Sequence, residues 1–166
     1  QQLVSQTAWQ NLDYLLIDLP PGTGDIQLTL SQKVPVTAAV VVTTPQDISL
    51  LDARKALEMF RKVKVPVLGV IENMSIHICS ACGHEDAIFG EGGGKRIAHD
   101  CEVPLLGQLP LAKRIRETAD QGVPLVIAEA SSTAAQLYEQ TARLMAAKLA
   151  RQAPNYTVKF PRIVVE

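Results

Sequence analysis

The residues best suited to chemistry in this chain are two cysteines and a set of acids in loops rich in Gly and Pro. Cys79 and Cys82 are separated by two residues, a spacing at which two thiolates can chelate one soft metal ion or one edge of a cluster. Gly83 follows directly and eases the turn that such a chelate requires. The surrounding segment, residues 75–94, is long for a loop, and long ordered loops are commonly functional.

The cysteine pattern by itself leaves four interpretations open. It fits half of an iron–sulfur site shared between two chains, because a [4Fe–4S] cube needs four thiolates and a two-fold dimer would supply them. It also fits a zinc knot that uses His77 or His84 as well, a dithiol redox pair, or a turn without chemistry. Cys101 is expected to be a small buried apolar residue instead.

A second candidate site is the run 17–25, which reads Ile-Asp-Leu-Pro-Pro-Gly-Thr-Gly-Asp. The apolar residues before it predict a strand, Tyr14–Asp18, that brings Asp18 to the carboxyl edge of a parallel sheet, where ligands bind. A carboxylate there suits Mg²⁺. Gly22 and Gly24 would let backbone N–H groups approach an anion closely. The run therefore predicts the Mg²⁺ and γ-phosphate sensor of a nucleotide switch.

The phosphate-binding loop that should accompany such a sensor is missing from the sequence. A P-loop needs a Gly-rich stretch that ends in Lys-Ser/Thr. Residues 92–95 are Gly-Gly-Gly-Lys, but Arg96 follows them and no apolar strand precedes them. The chain also begins with Gln1. We interpret it as the carboxyl-terminal part of a larger nucleotide-binding protein.

Apolar runs and helical patterns alternate along the 166 residues. Ser49 is expected to start a helix through a capping box, and Gly122 is expected to end another. The alternation predicts an α/β fold, a doubly wound and mostly parallel sheet with helices on both faces. The predicted strands are Tyr14–Asp18, Ala38–Thr43, Val67–Ile71 and Pro104–Leu109, and the predicted helices include Ala112–Gln121 and one that starts at Ser132.

Composition excludes several classes of partner. The net charge is −1 and only 4% of residues are aromatic, so neither a basic field nor stacking platforms are present for nucleic acid. No apolar stretch has the roughly 18–20 residues needed to span a bilayer. We expect a cytoplasmic protein without nucleic-acid or membrane partners.

Several motifs in fixed order resemble one family. They are the run Asp18–Asp25, Thr-Thr-Pro-Gln-Asp at 43–47, Glu-Asn-Met-Ser at 72–75, Cys79-x-x-Cys82 and Phe-Gly-x-Gly-Gly-Gly at 89–94. From about residue 13 to its end, the chain resembles the Mrp/ApbC family of ATP-binding iron–sulfur cluster carriers, in the MinD-like branch (SIMIBI class) of P-loop NTPases.

The resemblance implies a role for each matching position. Asp18 resembles the acid that holds Mg²⁺ through water, and Gly22 the switch glycine that meets the γ-phosphate. Asn73 resembles the residue that hydrogen-bonds the adenine edge. Cys79 and Cys82 resemble the cluster ligands at a dimer interface. The other positions near the nucleotide in this resemblance are Pro110, Thr43 and Thr44.

The family implies a homodimeric, ATP-hydrolysing carrier that receives a [4Fe–4S] cluster from scaffold proteins and delivers it to apo-proteins. Residues 1–150 would be the carboxyl-terminal part of the NTPase domain, with the cluster loop at 75–94, and residues 151–166 a tail. Without a phosphate loop, we expect this chain alone to be inactive as an ATPase. The alternatives are a MinD/ParA-like spatial-organising ATPase with structural zinc, and an inactive fragment.

Overall fold

The computed structural model describes residues 6–20, 24, 27, 29, 34 and 36–152. The predicted tail falls almost entirely outside these residues, as do Gly22 and Asp25. Within the described part, three parallel strands form one sheet: β1 (Ala39–Thr43), β2 (Val67–Glu72) and β5 (Leu105–Gln108). Strand β2 lies between β1 and β5. Each agrees with a predicted strand to within one residue at either end.

Two further strands of two residues each form a small antiparallel hairpin between β2 and β5. They are β3 (His77–Ile78) and β4 (Glu85–Asp86). The helices are α1 (Asp47–Lys62), α2 (Gly93–Asp100), α3 (Lys113–Asp120), α4 (Leu125–Ala128) and α5 (Thr133–Ala150). No helix among the described residues has the length and apolar character that crossing a membrane requires.

Helices cover both faces of the three-stranded sheet, which confirms the predicted layering. On one face, Leu57 of α1 and Ile97 of α2 pack with Val41 and Val70 of the sheet. On the other face, residues of α5 pack against β2 and β5; this cluster contains Leu68, Ile71, Leu106 and Leu109 with Leu137, Tyr138, Met145 and Leu149. Burial of these side chains on two faces is the main stabilising contribution to such a sheet.

The predicted strand Tyr14–Asp18 is wrong. Residues 14–18 adopt no regular structure and are exposed, with Leu16 at 82% of its full accessibility. An apolar run becomes a strand only when neighbouring strands accept its backbone hydrogen bonds. Among the described residues β1 pairs with β2 alone, and Val42 on β1 is 59% exposed.

The predicted helix start at Ser49 is also wrong, because α1 begins two residues earlier, at Asp47. Its N-cap residue, Gln46, makes no capping hydrogen bond with its side chain. The hydroxyl of Ser49 instead takes part in a 2.8 Å hydrogen bond with Thr44 Oγ1. Asp47 places an acidic side chain in the first turn, where it interacts favourably with the helix dipole.

The helix signals in the second half of the chain are confirmed. Ser132 caps α5, with its hydroxyl oxygen accepting the N–H of Ala135 at 3.2 Å. Gly122 follows α3 with a φ of 75°. Only glycine adopts that left-handed conformation without strain, so the residue ends the helix as predicted.

Candidate functional site

Three neighbouring strand ends at the carboxyl edge of the sheet carry most of the predicted nucleotide-contacting residues. The N–H of Asn73, just after β2, donates to the carbonyl of Thr43 at 2.7 Å. The N–H of Leu109 donates to the carbonyl of Glu72 at 2.8 Å, which aligns the end of β5 with the end of β2. The structure therefore brings Thr43, Asn73 and Pro110 to the same edge, because parallel strands share their carboxyl ends.

The side chains at this edge differ in their access to a ligand. Thr43 is buried and its hydroxyl donates to the carbonyl of Thr44 at 3.2 Å. Thr44 hydrogen-bonds to Ser49 and to the side chain of Gln46. Asn73 is half-buried, and its Oδ1 accepts the N–H of Met74 at 3.0 Å. Asn73 and Thr44 are thus more accessible to a ligand than Thr43, whose side chain is buried.

Asp18 is exposed and lies in an irregular segment that contacts the helix-covered core through Leu19. Leu19 packs against the core cluster beneath α1 and α2. Gln27, which is 5% exposed, donates through Nε2 to the carbonyl of Pro20 at 2.9 Å. These contacts fix the backbone directly after Asp18 and leave its carboxylate in solvent, a setting that suits a water-mediated Mg²⁺ ligand.

Cys79 and Cys82 lie at the tip of the β3–β4 hairpin. The N–H of Cys79 donates to the carbonyl of His84, and the N–H of Gly83 donates to the carbonyl of Cys79, both at 2.9 Å. Gly83 has a φ of 72° and no atom near the position of a Cβ. The hairpin and this left-handed glycine form a tight knuckle. Cys82 is exposed and Cys79 is half-exposed, so both thiols face the outside.

The knuckle also acts electrostatically on the sulfur atom of Cys79. Backbone N–H groups of Ala81 and Cys82 point at Cys79 Sγ, and the thiol of Cys82 hydrogen-bonds to it; these contacts lower the pKa of Cys79. Hydrogen bonds to the charged form favour that form. Since the thiolate is the metal ligand, the turn stabilises the state that binds metal.

The hairpin is joined to the chain segment that follows β5. Leu111 N–H donates to the carbonyl of Ile76 at 2.7 Å, and Ile78 N–H donates to the carbonyl of Leu111 at 3.2 Å. His77 and Leu111 thereby form an isolated parallel bridge. Because Leu111 is the neighbour of Pro110, the cysteine hairpin and the predicted base-lining segment are connected by direct backbone hydrogen bonds.

The glycines at 92–94 serve the helix start and its close packing on the sheet rather than a phosphate. Gly92 takes the left-handed N-cap position of α2, with a φ of 68°. A Cβ on Gly93 would lie 2.6 Å from the carbonyl oxygen of Pro45, and a Cβ on Gly94 would lie 2.7 Å from Glu72 Cβ. Both distances are shorter than any real contact, so only glycine lets α2 begin directly on the sheet. This agrees with the sequence argument against a phosphate loop here.

The other cysteine and the two nearby histidines do not form a metal site with Cys79 and Cys82. Cys101 is 3% exposed within the apolar core, as predicted. Nδ1 of His77 is buried and finds no hydrogen-bond partner in the described part of the chain, and His84 is exposed. Among the residues that the structure describes, no three His, Cys, Asp or Glu side chains group together as a metal site. The described residues of one chain therefore offer the two thiols alone.

Sequence reasoning missed two structural features of the site. Glu72 is 1% exposed and hydrogen-bonds to the start of α2, and Leu111 supports the hairpin. Glu72 could have been found, since it is the one charged residue in the apolar run Val67–Glu72 and buried charges require partners. Leu111 carries no such signal, because its contacts use only backbone atoms.

Comparison with known proteins gives a consistent assignment. Residues 1–146 match the model of the ParA family described as NUBPL iron-transfer P-loop NTPase. An iron–sulfur cluster carrier protein from Pseudomonas fragi is 63% identical over 141 residues, covering 85% of this chain and 49% of the relative. The mouse iron–sulfur cluster transfer protein NUBPL is 49% identical over 138 residues, covering 83% of this chain and 43% of the relative.

Solved structures give the same fold. A nucleotide-binding protein from Archaeoglobus fulgidus, in complex with ADP, is 38% identical with a TM-score of 0.65, covering 73% of this chain and 50% of that one. The chain spans about half the length of the curated relatives it matches. The motif order, the layered parallel sheet and the family match lead to one conclusion: the chain belongs to the family of NUBPL iron-transfer P-loop NTPases.

Proposed function

We propose that this chain is the cluster-holding part of an ATP-dependent iron–sulfur cluster carrier. Cys79 and Cys82 would bind a [4Fe–4S] cluster together with the same two cysteines of a second copy. The cluster is the cargo, received from scaffold proteins and delivered to apo-proteins. The names of the relatives from Pseudomonas fragi and mouse support this cargo.

One observation supports the shared site above all others. The two thiols sit on an exposed hairpin tip, and no third ligand stands beside them among the described residues. A [4Fe–4S] cluster is normally held by four thiolates. Two knuckles that meet on a two-fold axis would supply four sulfur ligands without any rearrangement of the individual hairpins.

We propose that the nucleotide part of the function uses the carboxyl edge of the sheet. Asn73 would hydrogen-bond the adenine edge, since its amide group can both donate and accept. Pro110 and the Thr43–Thr44 backbone would line the nucleotide. Asp18 would hold Mg²⁺ through water, with Gly22 near the γ-phosphate. The ADP complex of the Archaeoglobus fulgidus relative supports nucleotide binding by this fold.

The cluster assignment is tested by anaerobic reconstitution of the wild type and two variants. Replacing Cys79 and Cys82 together by Ser is expected to abolish the brown chromophore and the bound iron and sulfide. Ser80→Ala, which alters an exposed residue of the same turn, is the matched control and is expected to load normally. Iron retained at the wild-type level by the double variant would refute the assignment.

A structural zinc site is the second candidate, and the geometry of the cysteine knuckle is compatible with it. Paired thiolates with N–H groups aimed at sulfur suit zinc as well as iron. Such a chain would fit a spatial-organising ATPase of the MinD type. Metal and sulfide analysis of protein purified without air separates the two, because a carrier contains iron and sulfide whereas this alternative contains one zinc per chain.

The expectation that this chain alone lacks the main phosphate site has its own test. Because the sequence contains no Gly-rich loop ending in Lys-Ser/Thr, the main cradle for the phosphates is missing. The 166-residue chain is therefore expected to bind Mg-ATP weakly or not at all in a calorimetric titration, and to leave ATP unhydrolysed. Submicromolar binding by this chain would contradict that expectation.

A further inference from the structure

The carboxylate of Glu72 is the most buried charged group in the described part of the chain, and the nucleotide and cluster roles do not use it. It lies on the last residue of β2 and is 1% exposed. Its Oε2 accepts the N–H of Gly94, and its Oε1 accepts Nε2 of Gln108 at 2.6 Å. A buried carboxylate is tolerated only with such partners.

These two hydrogen bonds join three elements. Gly94 is the second residue of α2, whose N-cap Gly92 offers no side chain to the free N–H groups of the first turn. Glu72 supplies that cap from the sheet, with its negative charge at the positive end of the helix. Gln108 ends β5, which pairs with β2 in register at Glu72.

The contact is also tight. A Cβ on Gly94 would come within 2.7 Å of Glu72 Cβ and 3.0 Å of Oε2. A Cβ on Gly93 would come just as close to Pro45, which follows β1. The start of α2 is therefore fixed between the end of β1 and the end of β2. Small displacements of either strand end must move it, because packed elements shift as units.

The positions on either side of this contact belong to the two proposed sites. Asn73 follows Glu72 directly, and its N–H is bonded to Thr43. After β4, the returning strand of the cysteine hairpin, residues 87–92 connect the hairpin to the start of α2, just before Gly94. Glu72 thus lies between the predicted adenine contact and the helix start to which the cysteine hairpin is connected.

We infer that Glu72 is a positioning residue that links the nucleotide edge to the cysteine hairpin. Its carboxylate holds the start of α2, which residues 87–92 connect to the hairpin, against the strand end that carries Asn73, so that a change at either site is transmitted to the other. The inference rests on the proposed function for the identity of the two sites. The mechanical link itself rests on the hydrogen bonds of Glu72 and can be tested separately.

The first test measures amide hydrogen exchange in Glu72→Leu, Glu72→Gln and a control, Thr118→Val. Leu removes both acceptors. Gln keeps an acceptor for Gly94, and the amide of Gln108 can rotate to complete the second bond. Thr118 is also 1% exposed, but its hydroxyl donates to Arg114 within α3, away from the hairpin. Losing a charge-assisted bond predicts exchange about 10- to 100-fold faster.

In Glu72→Leu this acceleration is expected at Gly94 and also at the hairpin amides of Cys79 and Gly83. Glu72→Gln is expected to restore most of the protection, and Thr118→Val to leave the hairpin unchanged. If Gly94 accelerates while Cys79 and Gly83 keep wild-type rates, Glu72 is only a local helix cap and the inference is wrong. The same conclusion follows if Thr118→Val accelerates the hairpin equally.

The second test uses Co²⁺ as a probe of the cysteine pair. Binding of Co²⁺, followed through its thiolate absorption, is expected to slow exchange at Asn73 in the wild type and in Glu72→Gln, but not in Glu72→Leu. Equal protection of Asn73 in Glu72→Leu would overturn the link. If Co²⁺ does not bind the wild type, the cysteine site of the proposed function fails, and the exchange rates of the first test still decide the role of Glu72.

Discussion

At the scale of single residues, the site depends on how backbone N–H groups are aimed. The turn from Cys79 to Gly83 places two N–H groups on one sulfur, and this arrangement lowers the pKa of Cys79 without any basic side chain. The pattern Cys-x-x-Cys-Gly predicts a chelating pair, and the structure places both cysteines in one turn. The pattern was not sufficient to choose among iron, zinc and redox chemistry, because the same turn suits each. The position of the pair on a hairpin, away from any helix start, disfavours the redox alternative.

The lowered pKa of Cys79 predicts a pH dependence. A thiol whose pKa is depressed carries its thiolate at lower pH, so its reaction with iodoacetamide is expected to reach half its maximal rate below the ordinary cysteine value. The measurement is made on Cys82→Ser, in which the N–H donors of the turn remain and Cys101 is shielded in the core. The rate constant is followed from acid to alkaline pH by mass spectrometry.

Unfolding the same variant in urea provides the control, since the turn is then lost and the midpoint is expected to rise to the ordinary value. A midpoint that is the same in folded and unfolded protein would contradict the role of the N–H groups. The direction of the pKa shift of Cys79 has a consequence for metal binding. Because metals bind the thiolate, a depressed pKa extends binding toward lower pH.

At the scale of secondary structure elements, three of the four predicted strands are confirmed. The runs that form β1, β2 and β5 contain consecutive apolar residues. Such a run predicts a strand that helices cover on both faces. Tyr14–Asp18 shows the limit of this reasoning, because its apolar pattern does not reveal whether a neighbouring strand is there to pair with it. The start of α1 was missed for a local reason: Ser49 bonds to Thr44 instead of capping the helix.

The start of α2 offers a prediction in which two effects oppose each other. Gly94→Ala gains up to about 1 kcal/mol from helix propensity. It also places a Cβ 2.7 Å from Glu72 Cβ, which cannot move without the strand, and overpacking of this kind costs about 1–3 kcal/mol. We expect the clash to dominate, so that urea denaturation shows a net loss of free energy of unfolding.

Lys95→Ala is the matched control, because Lys95 is the next residue of the same helix and is exposed. Its free energy of unfolding is expected to stay within about 0.5 kcal/mol of the wild type. A Gly94→Ala variant more stable than the wild type would show that α2 does not begin as closely on the sheet as described.

At the scale of the whole molecule, the fold connects the sheet edge that carries the predicted nucleotide contacts to the hairpin that carries the cysteines. Parallel strands bring Thr43, Asn73 and Pro110 together, and the hairpin that carries the cysteines is bonded to the residue after Pro110. The sequence predicted the class of fold from its alternating pattern and the family from motif order, and both are confirmed, while the two sites stay predictions. It did not predict their connection, because that connection consists of backbone hydrogen bonds and one buried carboxylate whose partners are distant in sequence.

In the proposed carrier, a shared cluster would make the assembly of the molecule depend on its cargo. Each chain supplies one exposed and one half-exposed thiol, so a cluster that needs four thiolates would recruit two chains. The most direct test is sedimentation of the anaerobically reconstituted chain with iron and sulfide counted on the same fractions. We predict a dimer that carries one [4Fe–4S] cluster per two chains and that separates into monomers when the cluster is removed. Metal carried stoichiometrically by a monomer, with all its ligands from one chain, would contradict the account.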